Sequence, residues 1–306
     1  MEIWVPITLS AALFQALRTA MQQKMRARVS VNAAGFVRFA YGLPVAAAVL
    51  VAAMLASGQA LPHPAPRFYA LCALGGLFQI FATNLLIMAF GFRNFAVGTA
   101  FAKTEAMQAA LLAWPILGER PPPFVWLGIA IGLVGVMMLS LVGRNLRARD
   151  LLAGAVQPAA LCGLGAGFAF SLTAISIKAA SHAIPVGDGG VGPYLVRAFF
   201  MLSVTTLLQT AMQGGYMAWR RPQELRAAFR EWRAASLVGA ASAAGSACWF
   251  LAFTLAAVAL VRAVGQVEVV FTLVLSRFYL RETLHKADLA GLVLVVTGVF
   301  IVVVGA

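Results

Sequence analysis

The chain has 306 residues, of which 62% are hydrophobic and only 11% charged, and its mean hydropathy is +0.89. Soluble domains carry about 25% charged residues, so this balance excludes a water-soluble globule: its surface could not be covered. The formal net charge of +13 sits mostly in short segments between apolar runs, which marks membrane orientation rather than a nucleic-acid footprint.

Ten apolar segments long enough to cross a hydrocarbon core of about 30 Å follow in order: about 3–21, 33–56, 68–90, 94–117, 124–142, 153–179, 191–213, 234–256, 258–279 and 287–305. Helices are expected throughout, because barrel strands would be short and alternating. Residues Met1 to Ser10 lack a basic start, so the first segment is expected to be a retained span rather than a signal peptide. Breaks fall at Pro62-His63-Pro64, Pro121-Pro122-Pro123, Gly143-Arg144-Asn145 and Gly187-Asp188-Gly189-Gly190. The longest polar stretch, Gly214 to Arg233, mixes five arginines with Trp219, Phe229 and Trp232. Such a mix suits either a short helix lying on lipid headgroups or a plain basic loop. Cys72, Cys162 and Cys248 lie in apolar runs without metal-ligand spacing and read as packing residues.

The chain also resembles itself. A shift of 163 places Glu105 on Glu268, Leu117 on Leu280, Glu119 on Glu282, Gly128 on Gly291 and Gly135 on Gly298. Smaller shifts match Val37-Arg38 to Val196-Arg197, and Phe14, Thr19 and Lys24 to Phe168, Thr173 and Lys178. The expected organisation is all-α: two five-helix repeats, 1–143 and 144–306, forming one integral membrane unit. Five is odd, so the second repeat enters from the opposite face. An inverted repeat of this kind holds substrate near the midplane between halves that rock about it.

A mid-helix Glu, an acidic residue 14 positions later and a glycine-spaced closing helix occur twice, as Glu105 with Leu117-Gly118-Glu119-Arg120 and as Glu268 with Leu280-Arg281-Glu282-Thr283. The pattern resembles the drug/metabolite transporter superfamily, in particular its ten-helix EamA-type members, over essentially the whole chain. The resemblance implies a transporter and leaves the substrate open, since the family moves amino acids, drugs, sugars, nucleotide derivatives and lipids. Arg281 stands where the common pattern has Gly before Glu.

An ionised side chain near the bilayer centre costs about 2.5–3.5 kcal/mol on insertion scales, so each one faces protein or water and is a functional candidate. Glu105 and Glu268 occupy symmetric mid-span positions and suit proton coupling, substrate contact or a structural ion pair. Lys103, two residues before Glu105, points to another side of its helix; its repeat partner is Gln266. Gln15, Arg18 and Gln22 form a stripe on the first span that lines a cavity or makes interhelical hydrogen bonds. Arg38 and Arg197 match each other near the starts of the second and seventh spans, as boundary anchors or substrate contacts. Arg262 opens the ninth span and either faces the cavity or snorkels to the headgroups. Asn84 and Trp249 are the polar and aromatic pocket candidates. Glu119 and Glu282 are expected to bond exposed backbone N–H groups where the next helix begins.

Basic groups outnumber acidic ones among these candidates, so an anionic or zwitterionic solute fits better than a bare cation. The expected function is a secondary transporter, exporting or exchanging a small polar metabolite such as an amino acid or organic anion across the inner membrane, with proton coupling as one option. A multidrug or lipophilic-cation exporter is the first alternative. An intramembrane lipid-modifying enzyme is the second, but His63, His182 and His285 are far apart and no metal motif is present. No catalytic residues, metal or cofactor are assigned, no nucleotide-binding loop appears, and no oligomeric state follows. Cytoplasmic loops are richer in Lys and Arg. The segments after spans 1, 3, 5, 7 and 9 carry most of these residues, which predicts both termini outside the cytoplasm, although relatives are usually drawn with termini inside.

Overall fold

The computed structural model describes residues 3–89, 91–92, 95–141, 156–185, 191–275 and 286–306, and among these there is no strand. The helices are α1 (Trp4–Met25), α2 (Val31–Ala40), α3 (Leu43–Ser57), α4 (Pro66–Ala89), α5 (Phe95–Ala102), α6 (Glu105–Leu117), α7 (Pro123–Leu141), α8 (Pro158–His182), α9 (Gly192–Arg220), α10 (Pro222–Arg230), α11 (Trp232–Leu255), α12 (Val258–Gly265), α13 (Glu268–Leu275) and α14 (Lys286–Val304). Proline opens α4, α7, α8 and α10, where its fixed φ suits the first turn and its missing N–H costs nothing. Left-handed glycines, Gly58 (φ 66°) and Gly118 (φ 72°), close α3 and α6.

Among the described residues, six helical segments are long and apolar enough to cross a membrane: Val31–Ser57, Pro66–Ala89, Pro158–His182, Gly192–Arg220, Trp232–Leu255 and Val258–Leu275; Pro123–Leu139 and Leu289–Val304 are shorter apolar helices. All ten sequence segments overlap helix, but not all as single rods. The second span bends at Tyr41-Gly42 before Pro44. The fourth and ninth, expected to be continuous, are each interrupted for two residues immediately before the repeated glutamate, at Lys103-Thr104 and Gln266-Val267. Backbone bonds at both breaks tighten to the i−3 type: Thr104 N to Phe101 O at 3.2 Å, Gln266 N to Ala263 O at 3.2 Å and Val267 N to Val264 O at 3.1 Å. The seventh span runs beyond its expected end to Arg220, and the basic stretch after it is helical.

The chain packs into two compact units, Met1–Ile80 with Leu172–Ala256, and Phe81–Ser171 with Ala257–Ala306. Each unit therefore draws on both sequence halves. In the first, α1 lies along α11, and α9 lies along α3 while also touching α2 and α11. Gly239 allows α11 to approach the bend at Tyr41-Gly42: a Cβ there would stand 2.8 Å from Gly42 N. A polar ladder on α9 crosses this unit, with Gln209 Nε2 donating to Gln79 Oε1 at 2.6 Å and Gln213 Nε2 to Asn32 O at 3.0 Å.

In the second unit α7 and α14 form the most extensive helix pair. The repeat-matched glycines meet there in antiparallel order. A Cβ on Gly128 would stand 2.7 Å from Gly298 O, and one on Gly135 would stand 2.8 Å from Gly291 O. Small residues let backbones approach closely where lipid supplies no hydrophobic drive. Val136, Leu139 and Val295 are buried at this pair. Gly163 likewise packs on Gly98 of α5, and Gly167 on the α5–α6 break.

Candidate functional site: buried charges in the two units

In the second unit, four charged side chains interlock at the two helix breaks. Lys103 Nζ lies 2.7 Å from Glu268 Oε2, and Arg262 NH1 lies 2.7 Å from Glu105 Oε1. Each cation comes from the opposite sequence half to its acid. Both glutamates are the first residues of their half-helices, α6 and α13, where exposed N–H groups and the helix dipole favour a negative charge. The breaks thus do two things: they place each carboxylate at a positive helix end and bring it within reach of a cation. Arg262 does not snorkel. It is 9% exposed, and its second amino group approaches Phe170 O at 3.5 Å. Gln266, the repeat partner of Lys103, presses its amide oxygen against Gly132, while its Nε2 is buried without a hydrogen-bond partner among the described residues. Asn84 Oδ1 is likewise buried and unbonded among them.

An open cleft of about 530 Å³ adjoins the α5–α6 break. Thr104 and Gln108 supply its polar atoms; Leu133, Leu164 and Phe168 are among its apolar walls. Gln108 Nε2 donates to Thr104 Oγ1 at 2.7 Å, so the two polar side chains hold each other.

Glu119 behaves as a cap, though not for the next helix in the chain. Its Oε2 accepts from Val258 N at 2.8 Å, at the first turn of α12. Glu282, its repeat counterpart, lies outside the described residues.

The first unit has a different electrostatic character. Arg18, Arg38, Lys178 and Arg197 are all buried, whereas no carboxylate is buried among its described residues. Arg38 Nε donates to Ser242 Oγ at 3.0 Å, Arg197 NH2 to Ser181 Oγ at 3.2 Å and Lys178 Nζ to Ala256 O at 3.0 Å. Arg18 NH2 approaches Thr19 Oγ1 at 3.4 Å. Arg38 and Arg197 are thus interior groups rather than exposed boundary anchors. The polar stripe on α1 divides its tasks. Gln15 Oε1 accepts from Trp249 Nε1 at 2.9 Å, and Trp249 stacks on Phe253 with ring centroids 5.9 Å apart. Gln22 Nε2 donates to Ala34 O at 2.9 Å. Gln15 and Gln22 therefore tie α1 to α11 and α2, with Arg18 between them.

Comparison with known proteins decides the family. The model of the EamA-like transporter family matches twice, over residues 2–141 and 157–304. The chain belongs to the EamA-like transporter family. The double match makes it two copies of the family unit, as its internal self-similarity predicts, and the family is one of membrane transporters of small molecules. A crystal structure 19% identical in sequence superposes with a TM-score of 0.65 over 97% of this chain and 99% of its own; at that identity the likeness shows the fold alone. No curated protein matches the chain.

Within this EamA-like chain, sequence reasoning singled out both interior acids and most of the interior cations. It did not name Lys178 among the candidates, nor Ser242 and Ser181, which hold the two arginines. Their signal is present: Lys178 matches Lys24 in the repeat, and Ser242 sits in the small-residue run of α11 that lets a long guanidinium approach.

Proposed function

We propose that this EamA-like chain is a secondary transporter that exports or exchanges a small anionic or zwitterionic metabolite, such as an amino acid or organic anion, across the inner membrane. One observation carries the substrate class: four cations and no carboxylate are buried among the described residues of the first unit. A concentration of buried basic groups in one unit favours an anionic or zwitterionic solute by charge matching. Arg38 and Arg18 are the favoured contacts, with Gln15 on the helix of Arg18 and Trp249 hydrogen-bonded to it from α11.

The interrupted helices support a ten-span, inverted-repeat arrangement in which substrate is handled near the midplane. Discontinuous helices whose ends face charged groups recur in such transporters. The reciprocal glycine order on α7 and α14, Gly128 to Gly298 and Gly135 to Gly291, also supports it, because a twofold relation between the repeats exchanges these two contacts. The Lys103–Glu268 and Arg262–Glu105 pairs act as a switch: a carboxylate that takes up a proton releases its cation. The charge distribution of the loops supports termini outside the cytoplasm.

A lipophilic-cation or drug substrate is the second reading, and the largely apolar cleft beside Thr104 favours it. Flux of a panel of amino acids, organic acids and lipophilic cations into vesicles holding the purified protein separates the two. Uptake confined to acids and zwitterions, lost in R38Q, supports the first reading; uptake confined to lipophilic cations overturns it. The same assay across a pH gradient tests coupling: E105Q and E268Q should each abolish gradient-driven uptake, and unchanged pH dependence in both overturns the switch. A reporter fused after Ala306 that is active only in the cytoplasm overturns the orientation.

A further inference from the structure

Between α9 and α11 lies a patch in which the charge has been sorted by sign. The segment 216–233 contains two acids and five arginines. Both acids are engaged by partners, Glu224 in part-buried hydrogen bonds and Glu231 in an exposed pair with Arg28. Glu224 Oε2 accepts from Ser30 Oγ at 2.7 Å and from Asn32 Nδ2 at 3.1 Å, and Glu231 Oε2 lies 3.2 Å from Arg28 NH1. All five arginines, Arg220, Arg221, Arg226, Arg230 and Arg233, are exposed. What the segment shows to its surroundings is therefore almost wholly positive.

Large aromatic rings interleave with these cations. Trp219 is 74% exposed and Trp232 is 56% exposed. Arg220 lies over the Trp219 ring at 3.9 Å and Arg233 over the Trp232 ring at 5.5 Å. Tryptophans seek the membrane–water boundary, where the ring is shielded and the indole N–H stays wet. Trp219 in the last turn of α9 and Trp232 at the start of α11 flank this short helix on either side, an arrangement suited to headgroup depth.

The platform is also rigid. Ser30 is the N-cap of α2, accepting from Ala33 N at 3.2 Å while donating to Glu224. Phe229 meets Phe36 edge-on at 6.1 Å and Tyr41 at 6.2 Å. These ties fix α10 against α2, so a ligand on the outer face meets preset cations and little ordering entropy is lost on binding.

We propose that α10 and its flanks form a binding site for the phosphate headgroups of anionic phospholipids, held by the exposed arginines and set at depth by Trp219 and Trp232. Arginine forks suit phosphate oxygens, and each basic residue near an anionic surface adds about 1 kcal/mol. The site needs no particular transported solute, only that the chain sits in a bilayer.

The test uses the full chain reconstituted in phosphatidylcholine vesicles. Tryptophan fluorescence is quenched with small fractions of brominated phosphatidylglycerol or, separately, brominated phosphatidylcholine. Phosphatidylglycerol should quench at least threefold more strongly at equal fraction, and high salt should shrink the difference. The difference should vanish in W219F/W232F, fall to near parity when all five arginines become Gln, and persist when they become Lys. If the five-fold variant does not fold, R226Q/R230Q is read on the same scale and should lose about half the preference. Equal quenching by the two lipids in the wild-type chain, or a preference retained in the Gln variants, overturns the proposal. So does salt-sensitive binding of an RNA oligonucleotide to this patch without any lipid preference.

Discussion

Lys103 Nζ stands 2.7 Å from Glu268 Oε2, joining a cation of the first sequence half to an acid of the second. Glu268 is 6% exposed, so removing Lys103 takes away the nearest counter-charge of a buried carboxylate. K103M should destabilise the protein by about 3 kcal/mol, in the range expected for breaking a buried pair. The double variant K103M/E268M should recover most of that loss, because it removes both desolvation costs together. Thermal unfolding in a single detergent checks both; a double variant no more stable than K103M would show that the pair is not what matters.

Arg38 and Ser242 offer a graded test of substrate recognition. S242A removes one hydrogen bond from a buried guanidinium and should weaken apparent substrate affinity by about 1–2 kcal/mol, roughly tenfold. R38Q removes the charge and should reduce flux of an anionic substrate far more, while R38K should restore part of it. Initial rates against substrate concentration distinguish an effect on KM from one on turnover.

The glycine contacts between α7 and α14 make a steric prediction. A Cβ at Gly298 would stand 2.6 Å from Gly128 O, so G298A forces two backbones apart and G298L does so more severely. Both should lower the unfolding temperature by several degrees. G215A serves as control, since nothing lies within 4 Å of a Cβ there.

Glu119 gives a capping prediction. E119A leaves the Val258 N–H of α12 without this acceptor and should cost about 1 kcal/mol, the usual size of a lost N-cap. E119Q keeps an acceptor oxygen but loses the charge at a helix N-terminus and should fall between wild type and E119A. Hydrogen exchange at Val258 should quicken in the same order.

Membrane residence, helical structure and the doubled architecture were determined by the sequence itself, because they depend on quantities local to the chain. Apolar run length sets what can span lipid, Pro121-Pro122-Pro123 and Gly118 punctuate helices wherever they fold, and Glu105 and Glu268 recur at a fixed shift. Only the tertiary structure decided which charges meet. Lys103 and Arg262 do not match each other in the repeat, and nothing in linear spacing shows that each crosses to the other half's glutamate. The breaks at Lys103-Thr104 and Gln266-Val267 were equally hidden: both lie within long apolar runs, with no proline at either break. An ion pair depends on distances of a few ångströms between side chains far apart in sequence, and those distances exist only once the helices have packed.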